Sequence, residues 1–213
     1  MGSNSDGNSE IYLQDGGTLR QITNTSPNDI TTRNADGNFQ PSISDDGRFI
    51  AFSSNRNLSG QNDDGNFEIF IFDVSTSSFS QLTHSAGIVG FKDVKLSGNG
   101  LKVAYIRDSG ESPSANRDLL LQNRTGVSNI QTLATNVPEL ALNYGRAISD
   151  DGQRVVWASE TAANSSQVFL YDGRNNLTRQ VTSLGVRATD VPLHPTIHAE
   201  NKDSLDAKRE KMG

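Results

Sequence analysis

The chain has 213 residues, a net charge of −6, an apolar fraction of 33% and no cysteine. The acidic balance disfavours binding to nucleic acid or to an anionic membrane surface, because no basic stripe is available to meet either. The missing cysteine excludes disulfides and thiolate metal sites, and no apolar run approaches the ~18 residues of a membrane-spanning helix.

The first predicted elements are two short strands, EIYLQD (10–15) and RQIT (20–23), with no hairpin before them. The loop that precedes them, NSDGNS (4–9), is rich in Asn, Asp and Gly, which favour turns. This segment predicts two outer strands of a larger sheet.

Three units with one common order of elements follow. Each begins with a hairpin around a Gly-containing turn: PSISDDGRFIAFSSN (41–55), VKLSGNGLKVAYIRD (94–108) and RAISDDGQRVVWASE (146–160). A third strand comes next, EIFIFD (68–73), DLLLQN (118–123) or QVFLYD (167–172), and then a fourth, SQLT (80–83), IQTL (130–133) or RQVT (179–182). The turn glycines 47, 100 and 152 lie 53 and 52 residues apart. Four strands at a period near 50 are typical of a β-propeller blade.

The pattern breaks off near the C-terminus. VPLHPTI (191–197) aligns with NFQPSI (38–43), the first strand of a unit, but the residues after it do not continue the hairpin. They form a charged segment, AENKDSLDAKREKMG (199–213), that is typical of a solvated tail.

We therefore expect an all-β fold, a β-propeller of four-stranded antiparallel blades with three complete blades and a split blade shared by the two termini. The expected boundaries are a half blade at 4–24, blades at 38–84, 90–135 and 142–183, the first strand of the split blade at 189–198, and the tail at 199–213. The ring closes either within one chain or across two copies, and the unpaired edge strands favour a homo-oligomer.

PSISDDGRFIAFSSN, followed by EIFIFD and QLT, resembles the repeat of bacterial TolB-type propellers, also called WD40-like repeats. The resemblance covers residues 4 to about 198. It implies a non-enzymatic interaction or scaffolding module that binds a protein, peptide or glycan at its face or central channel. It also implies a periplasmic or secreted location, with the cytoplasm left open.

No catalytic residue or cofactor is expected, because the resemblance lies in the blade framework and no serine stands in a G-x-S-x-G turn. Two alternatives stay open. In the first alternative, the chain is an accessory domain of a hydrolase or lyase. In the second, it is a partial propeller that completes its ring by oligomerisation.

Two matched loops are candidate metal-binding sites. Side chains with oxygen atoms recur at alternate positions: Asn4, Asp6, Asn8 and Glu10 in one loop, and Asn62, Asp64, Asn66 and Glu68 in the other. Calcium prefers such hard oxygen ligands on a loop that glycine allows to turn tightly. The glycine stands at the fourth loop position rather than the sixth, which excludes an EF-hand. The alternative is a turn whose backbone is capped by Asn and Asp.

The other candidate residues have simpler interpretations. His84 is expected in an exposed loop, and His194 and His198 would lie about 13 Å apart on a strand, too far to share a metal. The acids of the hairpin turns are attributed to turn formation. One matched strand position holds three aromatic residues that we expect to pack between blades: Phe52, Tyr105 and Trp157.

Overall fold

The computed structural model describes residues 4–27, 36–110, 116–126, 129–139, 141–142, 145–160 and 166–183. Within these ranges the chain contains thirteen β-strands. A helix long and apolar enough to span a bilayer does not occur there. The all-β fold that the short, turn-bounded strands predict is confirmed.

The strands form four antiparallel sheets in which neighbours follow chain order. The half blade contains β1 (Tyr12–Asp15) and β2 (Thr18–Gln21). Blade 1 contains β3 (Asn38–Ile43), β4 (Phe49–Ser54), β5 (Glu68–Asp73) and β6 (Ser78–Gln81). Blade 2 contains β7 (Gly90–Leu96), β8 (Lys102–Asp108), β9 (Arg117–Asn123) and β10 (Ile130–Ala134). Blade 3 contains β11 (Arg154–Glu160), β12 (Ser166–Asp172) and β13 (Leu177–Gln180). This up-and-down order is that of propeller blades.

Within the described residues, the innermost strand of blade 3 is shorter than β3 and β7, its counterparts in blades 1 and 2. It consists of one bridge, between Ile148 and Val155, flanked by two backbone hydrogen bonds of 2.9 Å. Gly145, with φ of +75°, occupies the position equivalent to Gln40 of β3 and Asp93 of β7, which also have a positive φ. The predicted first strand of the split blade, 189–198, and the tail, 199–213, lie outside the described residues.

The core lies between successive blades, because side chains alternate between the two faces of each strand. Ile69 and Ile71 of β5 pack against blade 2, whereas Phe70 and Phe72 of the same strand pack against the half blade. A third cluster joins blades 2 and 3 around Trp157. The half blade is therefore attached to blade 1 by the same kind of interface that joins the complete blades.

The three matched aromatic side chains lie in these interfaces. Phe52 and Tyr105 are fully buried, and Trp157 is 2% exposed and stacks on Phe169 with ring centroids 5.8 Å apart. Their predicted role in packing between blades is confirmed.

The three hairpin turns share one hydrogen-bond pattern. In each turn a Ser hydroxyl donates to the side chain two residues later: Ser44 to Asp46, Ser97 to Asn99, and Ser149 to Asp151, at 2.6 to 2.8 Å. The same acceptor oxygen also receives a backbone N–H two residues further on. The turn glycines have φ of +71°, +68° and +66°, which glycine adopts without steric strain. Turn formation accounts for these polar residues, as the sequence predicts.

The turns of neighbouring blades also bind one another. Asp45 N donates to Gly98 O, and Asn99 N donates to Asp150 O, both at 2.8 Å. Arg146 Nη2 reaches across from blade 3 to both carboxylate oxygens of Asp45, at 2.8 and 3.0 Å. These contacts fix the three blades relative to one another at one end of their inner strands, and thereby position the opposite end.

Candidate functional site

A cleft of about 500 Å³ lies between blades 1 and 2, where β3 and β7 begin. Its apolar lining includes Phe39, Phe67 and Ile88. The rings of Phe39 and Phe67 are in contact, with centroids 5.9 Å apart, and Ile88 is 67% exposed. Clefts of ~300 to 1,000 Å³ with apolar walls are typical of ligand-binding sites. This cleft has room for one or two side chains of a bound molecule.

Charged side chains line the rim of the cleft. Lys92 Nζ lies 2.7 Å from Asp108 Oδ2 and 3.1 Å from Glu139 Oε1. Burial raises the pKa of Asp108, but hydrogen bonds from Lys92, Gly110 N and Arg117 outweigh burial and leave that pKa below its ordinary value. The Glu139 side chain is 61% exposed, the most open of the three rim charges. The rim thus combines one fixed ion pair with one accessible carboxylate.

Gln40, on the wall of the cleft, is paired with Asp93 of the next blade. Gln40 Nε2 donates to Asp93 Oδ1, and Asp93 N donates to Gln40 Oε1, both at 2.7 Å. The two residues occupy equivalent positions of β3 and β7, with φ of 54° and 56°, at bulges where the strand register shifts. The left-handed backbone directs both side chains to the blade junction.

Asp93 is almost completely enclosed, at 2% exposure. Its Oδ2 is buried and receives no hydrogen bond from the described residues. Burial raises the pKa of Asp93 to about 6, although nearby Lys95 and Lys92 oppose that rise. A carboxyl group with this pKa changes its charge near neutral pH.

The two predicted calcium loops close in the same way. Asn4 Nδ2 donates to Asn8 O at 2.7 Å, and Asn62 Nδ2 donates to Asn66 O at 3.0 Å. Asp64 Oδ2 accepts a hydrogen bond from Gly87 N. Across the part of the chain that the structure describes, no three His, Asp or Glu side chains converge in a group that would hold a metal. Calcium at these loops stays a prediction.

The glutamates at the ends of these loops accept hydrogen bonds from residues that follow the fourth strand of the same blade. Glu68 is fully buried and accepts hydrogen bonds from Thr83 Oγ1, Ser85 N and Ser85 Oγ. Glu10 accepts in the same manner from Thr23 Oγ1, Thr25 N and Thr25 Oγ1. Each carboxylate therefore ties the start of the third strand of a blade to the end of the fourth.

Sequence reasoning missed the threonines in these contacts. Thr23, Thr83 and Thr182 each accept the N–H of the third strand through Oγ1, at 2.8 to 2.9 Å. The signal was present, because the fourth strands RQIT, SQLT and RQVT all end in Thr. In blade 3 a neutral residue replaces the glutamate, and Thr182 donates to Gln167 Oε1 at 2.8 Å.

His84 is not among the residues that line the cleft. His84 is exposed, as expected of a loop residue, and its Nε2 lies 3.3 Å from Gln61 Oε1. His194 and His198 lie outside the described residues.

No protein-family model and no curated protein matches the chain. Several solved structures are similar to it. TolB from Acinetobacter baumannii is 23% identical over 83% of this chain and 38% of its own, with a TM-score of 0.51. A protein described as TolB from Agrobacterium tumefaciens is 18% identical over 84% of this chain and 58% of its own, with a TM-score of 0.54. Oligogalacturonate lyase from Vibrio parahaemolyticus is 14% identical over 85% of this chain and 48% of its own, with a TM-score of 0.57.

This chain spans between 38% and 58% of the length of these three structures. At these identities the similarity concerns the fold. The chain has the β-propeller fold of TolB-type proteins.

Proposed function

We propose that the chain is a non-catalytic interaction module that binds an extended segment of a partner polypeptide in the cleft between blades 1 and 2. The observation that carries this proposal is the combination of exposed Ile88, two half-buried aromatic rings and an accessible carboxylate in one cleft. An exposed Ile88 beside two aromatic rings offers a place for an apolar side chain to leave water.

The charges of the rim define the partner segment further. Lys92 and Arg117 together neutralise Asp108 and Glu139, and the carboxylate of Glu139 is the rim charge most exposed to a partner. A basic residue next to the apolar anchor complements this rim. The Gln40 side chain is exposed on the cleft wall, where it can exchange hydrogen bonds with the main chain of a bound segment.

A lyase or peptidase accessory domain is the competing hypothesis, since similar folds occur in an oligogalacturonate lyase and in peptidases. Catalysis needs a nucleophile or general base positioned by a second group. In this cleft Asp108 is held by Lys92 and Arg117, and the described lining contains no histidine. Those features favour binding over turnover.

Fluorescence anisotropy with labelled peptides tests the proposal. The probe is a decapeptide of Gly and Ser with Leu-Lys at its centre, and the matched peptides replace Lys with Glu or Leu with Ser. We expect saturable binding of the Leu-Lys peptide and binding at least about tenfold weaker for each replacement, equivalent to about 1.4 kcal/mol. Equal binding of all three peptides, or none, would refute the proposal. Depolymerisation of added oligogalacturonate would support the enzyme hypothesis instead.

The expected homo-oligomer and the periplasmic or secreted location stay predictions. Solution mass by light scattering tests the first, and fractionation of cells that produce the natural protein tests the second.

A further inference from the structure

The loop at residues 4–8 contains a buried amide oxygen that no donor reaches. Asn8 is 3% exposed, and its Nδ2 donates to Thr25 O, to Thr25 Oγ1 at 3.1 Å and to Glu10 Oε1 at 3.0 Å. These bonds fix the carboxamide, because turning it over would place its oxygen against three acceptors. Asn8 Oδ1 is left buried, with no hydrogen-bond partner in the described chain.

Asn4 presents a second such oxygen in the same loop. Its Nδ2 donates to Asn8 O at 2.7 Å, which orients the amide, and its Oδ1 is likewise buried and unpartnered within the described ranges. Leaving a buried acceptor unpaired costs about 1–3 kcal/mol. Either a water molecule or a hard cation satisfies such an oxygen, and two of them in one short loop with a carboxylate resemble the oxygen ligands that a hard cation prefers.

We propose that residues 4–8 form a Ca²⁺ site in which Asn4 Oδ1 and Asn8 Oδ1 bind the ion. Asp6 lies midway between the two asparagines in the sequence and supplies the negative charge. Ca²⁺ takes six to eight oxygen ligands in adaptable geometry, so water completes the shell, whereas Mg²⁺ demands a near-ideal octahedron. A site with one carboxylate belongs among weak calcium sites, with Kd of about 10⁻⁴ to 10⁻³ M.

The site differs from the set of ligands that sequence spacing suggests. Glu10 accepts hydrogen bonds from Thr23 and Thr25, so its role is to hold the loop against the rest of the half blade. The amide oxygens, rather than the glutamate, are the groups that still need a partner.

The matched loop at residues 62–66 provides an internal comparison. Asn66 Oδ1 is also buried without a partner among the described residues, but Asp64 is already engaged by Gly87 N at 3.1 Å. This loop therefore has one amide oxygen without a hydrogen-bond donor, and its carboxylate already accepts a hydrogen bond. We assign the site to the first loop for that reason.

Calorimetric titration of the full chain with CaCl₂, and separately with MgCl₂, tests the assignment. We expect one Ca²⁺ per chain and no comparable heat from Mg²⁺. Asp6→Asn keeps the size of the side chain and should weaken Ca²⁺ binding by about tenfold, since it removes the only carboxylate among the proposed ligands. Asp64→Asn is the matched control and should leave the affinity unchanged.

Thermal unfolding gives an independent measurement, because an ion that binds only the folded chain raises Tm as its concentration rises. We expect Tm to rise with CaCl₂ and to fall again when a chelator is added. No saturable heat and no Tm shift up to about 10 mM CaCl₂, well above the weak-site range, would overturn the proposal. Loss of binding in Asp64→Asn but not in Asp6→Asn would overturn the assignment to the first loop.

Discussion

Gln40 and Asp93 bind each other across the junction of blades 1 and 2 through two hydrogen bonds of 2.7 Å. The two residues are separated by one repeat, and they hold equivalent bulges of adjacent inner strands. Because Gln40 also lines the cleft, this pair connects the packing of the blades to the shape of the candidate site. Its one titratable member, Asp93, is buried.

Asp93 should make the stability of the chain depend on pH. Its pKa in the folded chain is about 6, above the ordinary 3.8, so folding favours the protonated form. Its contribution is fully present below pH 3.8 and is lost as the pH rises through about 6. The full loss corresponds to about 3 kcal/mol. We expect Asp93→Asn, which has no proton to lose, to remove this loss between pH 4 and pH 7.

Urea unfolding at several pH values measures this effect. Lys92, Lys95 and Glu139 are the charged groups that act on Asp93. Asp63→Asn, at an exposed site that is not one of these groups, is therefore the control, and it should retain the pH dependence of the parent chain. If the free energy of unfolding changes with pH in the same way for the parent chain and for Asp93→Asn, the assigned role of Asp93 is contradicted.

Glu68→Gln should destabilise blade 1. The carboxylate accepts three hydrogen bonds in a fully buried position, and the amide would present an N–H group to donors. Hydrogen bonds to charged groups contribute about 1.5–3 kcal/mol each, so we expect a loss of at least about 2 kcal/mol in the free energy of unfolding. Asp63→Asn, at an exposed site, is the control and should change it by less than about 0.5 kcal/mol. Equal stabilities of the two variants would argue against the network.

Two glycines in equivalent turns should respond differently to alanine. Gly47 and Gly152 have φ of +71° and +66°, so alanine is strained at both, by roughly 1–2 kcal/mol. A Cβ at Gly47 would meet no atom within 4 Å, whereas one at Gly152 would lie 2.9 Å from Lys102 Cβ of the neighbouring blade. We expect Gly152→Ala to be more destabilising than Gly47→Ala by about 1 kcal/mol or more. Calorimetric unfolding of both variants measures this difference, and equal destabilisation would contradict the close approach of blades 2 and 3 at Gly152.

The strands and turns could be predicted from the sequence because their causes are local. The Ser-x-x-Gly pattern determines each hairpin turn, and the alternation in EIFIFD determines which residues face each neighbouring blade. The recurrence of these patterns near 50 residues then predicts the blade.

The cleft could not be predicted from the sequence because its parts come from separate segments. Phe39 and Phe67 come from separate segments of blade 1 and Ile88 from the loop before β7, and the cleft between them forms only when blades 1 and 2 pack together. The pairing of Gln40 with Asp93 likewise requires left-handed backbone at two bulges, which neither residue type specifies. The hydrogen bonds of Glu68 could not be predicted for a related reason, since its partners follow it by about fifteen residues.

Binding of the Leu-Lys peptide by two matched variants tests the central claim most directly. Ile88→Asp places a charge on the apolar wall of the cleft, and Leu101→Asp places one at a similarly exposed site, 52% exposed, at the opposite end of β7. Anisotropy titrations should show peptide binding weakened by about tenfold or more in Ile88→Asp. The apolar Leu side chain of the peptide would then be buried beside the introduced carboxylate, which is unfavourable. Leu101→Asp should bind like the parent chain. Unchanged binding in Ile88→Asp, with a folded protein, would contradict the assignment of the cleft as the recognition site.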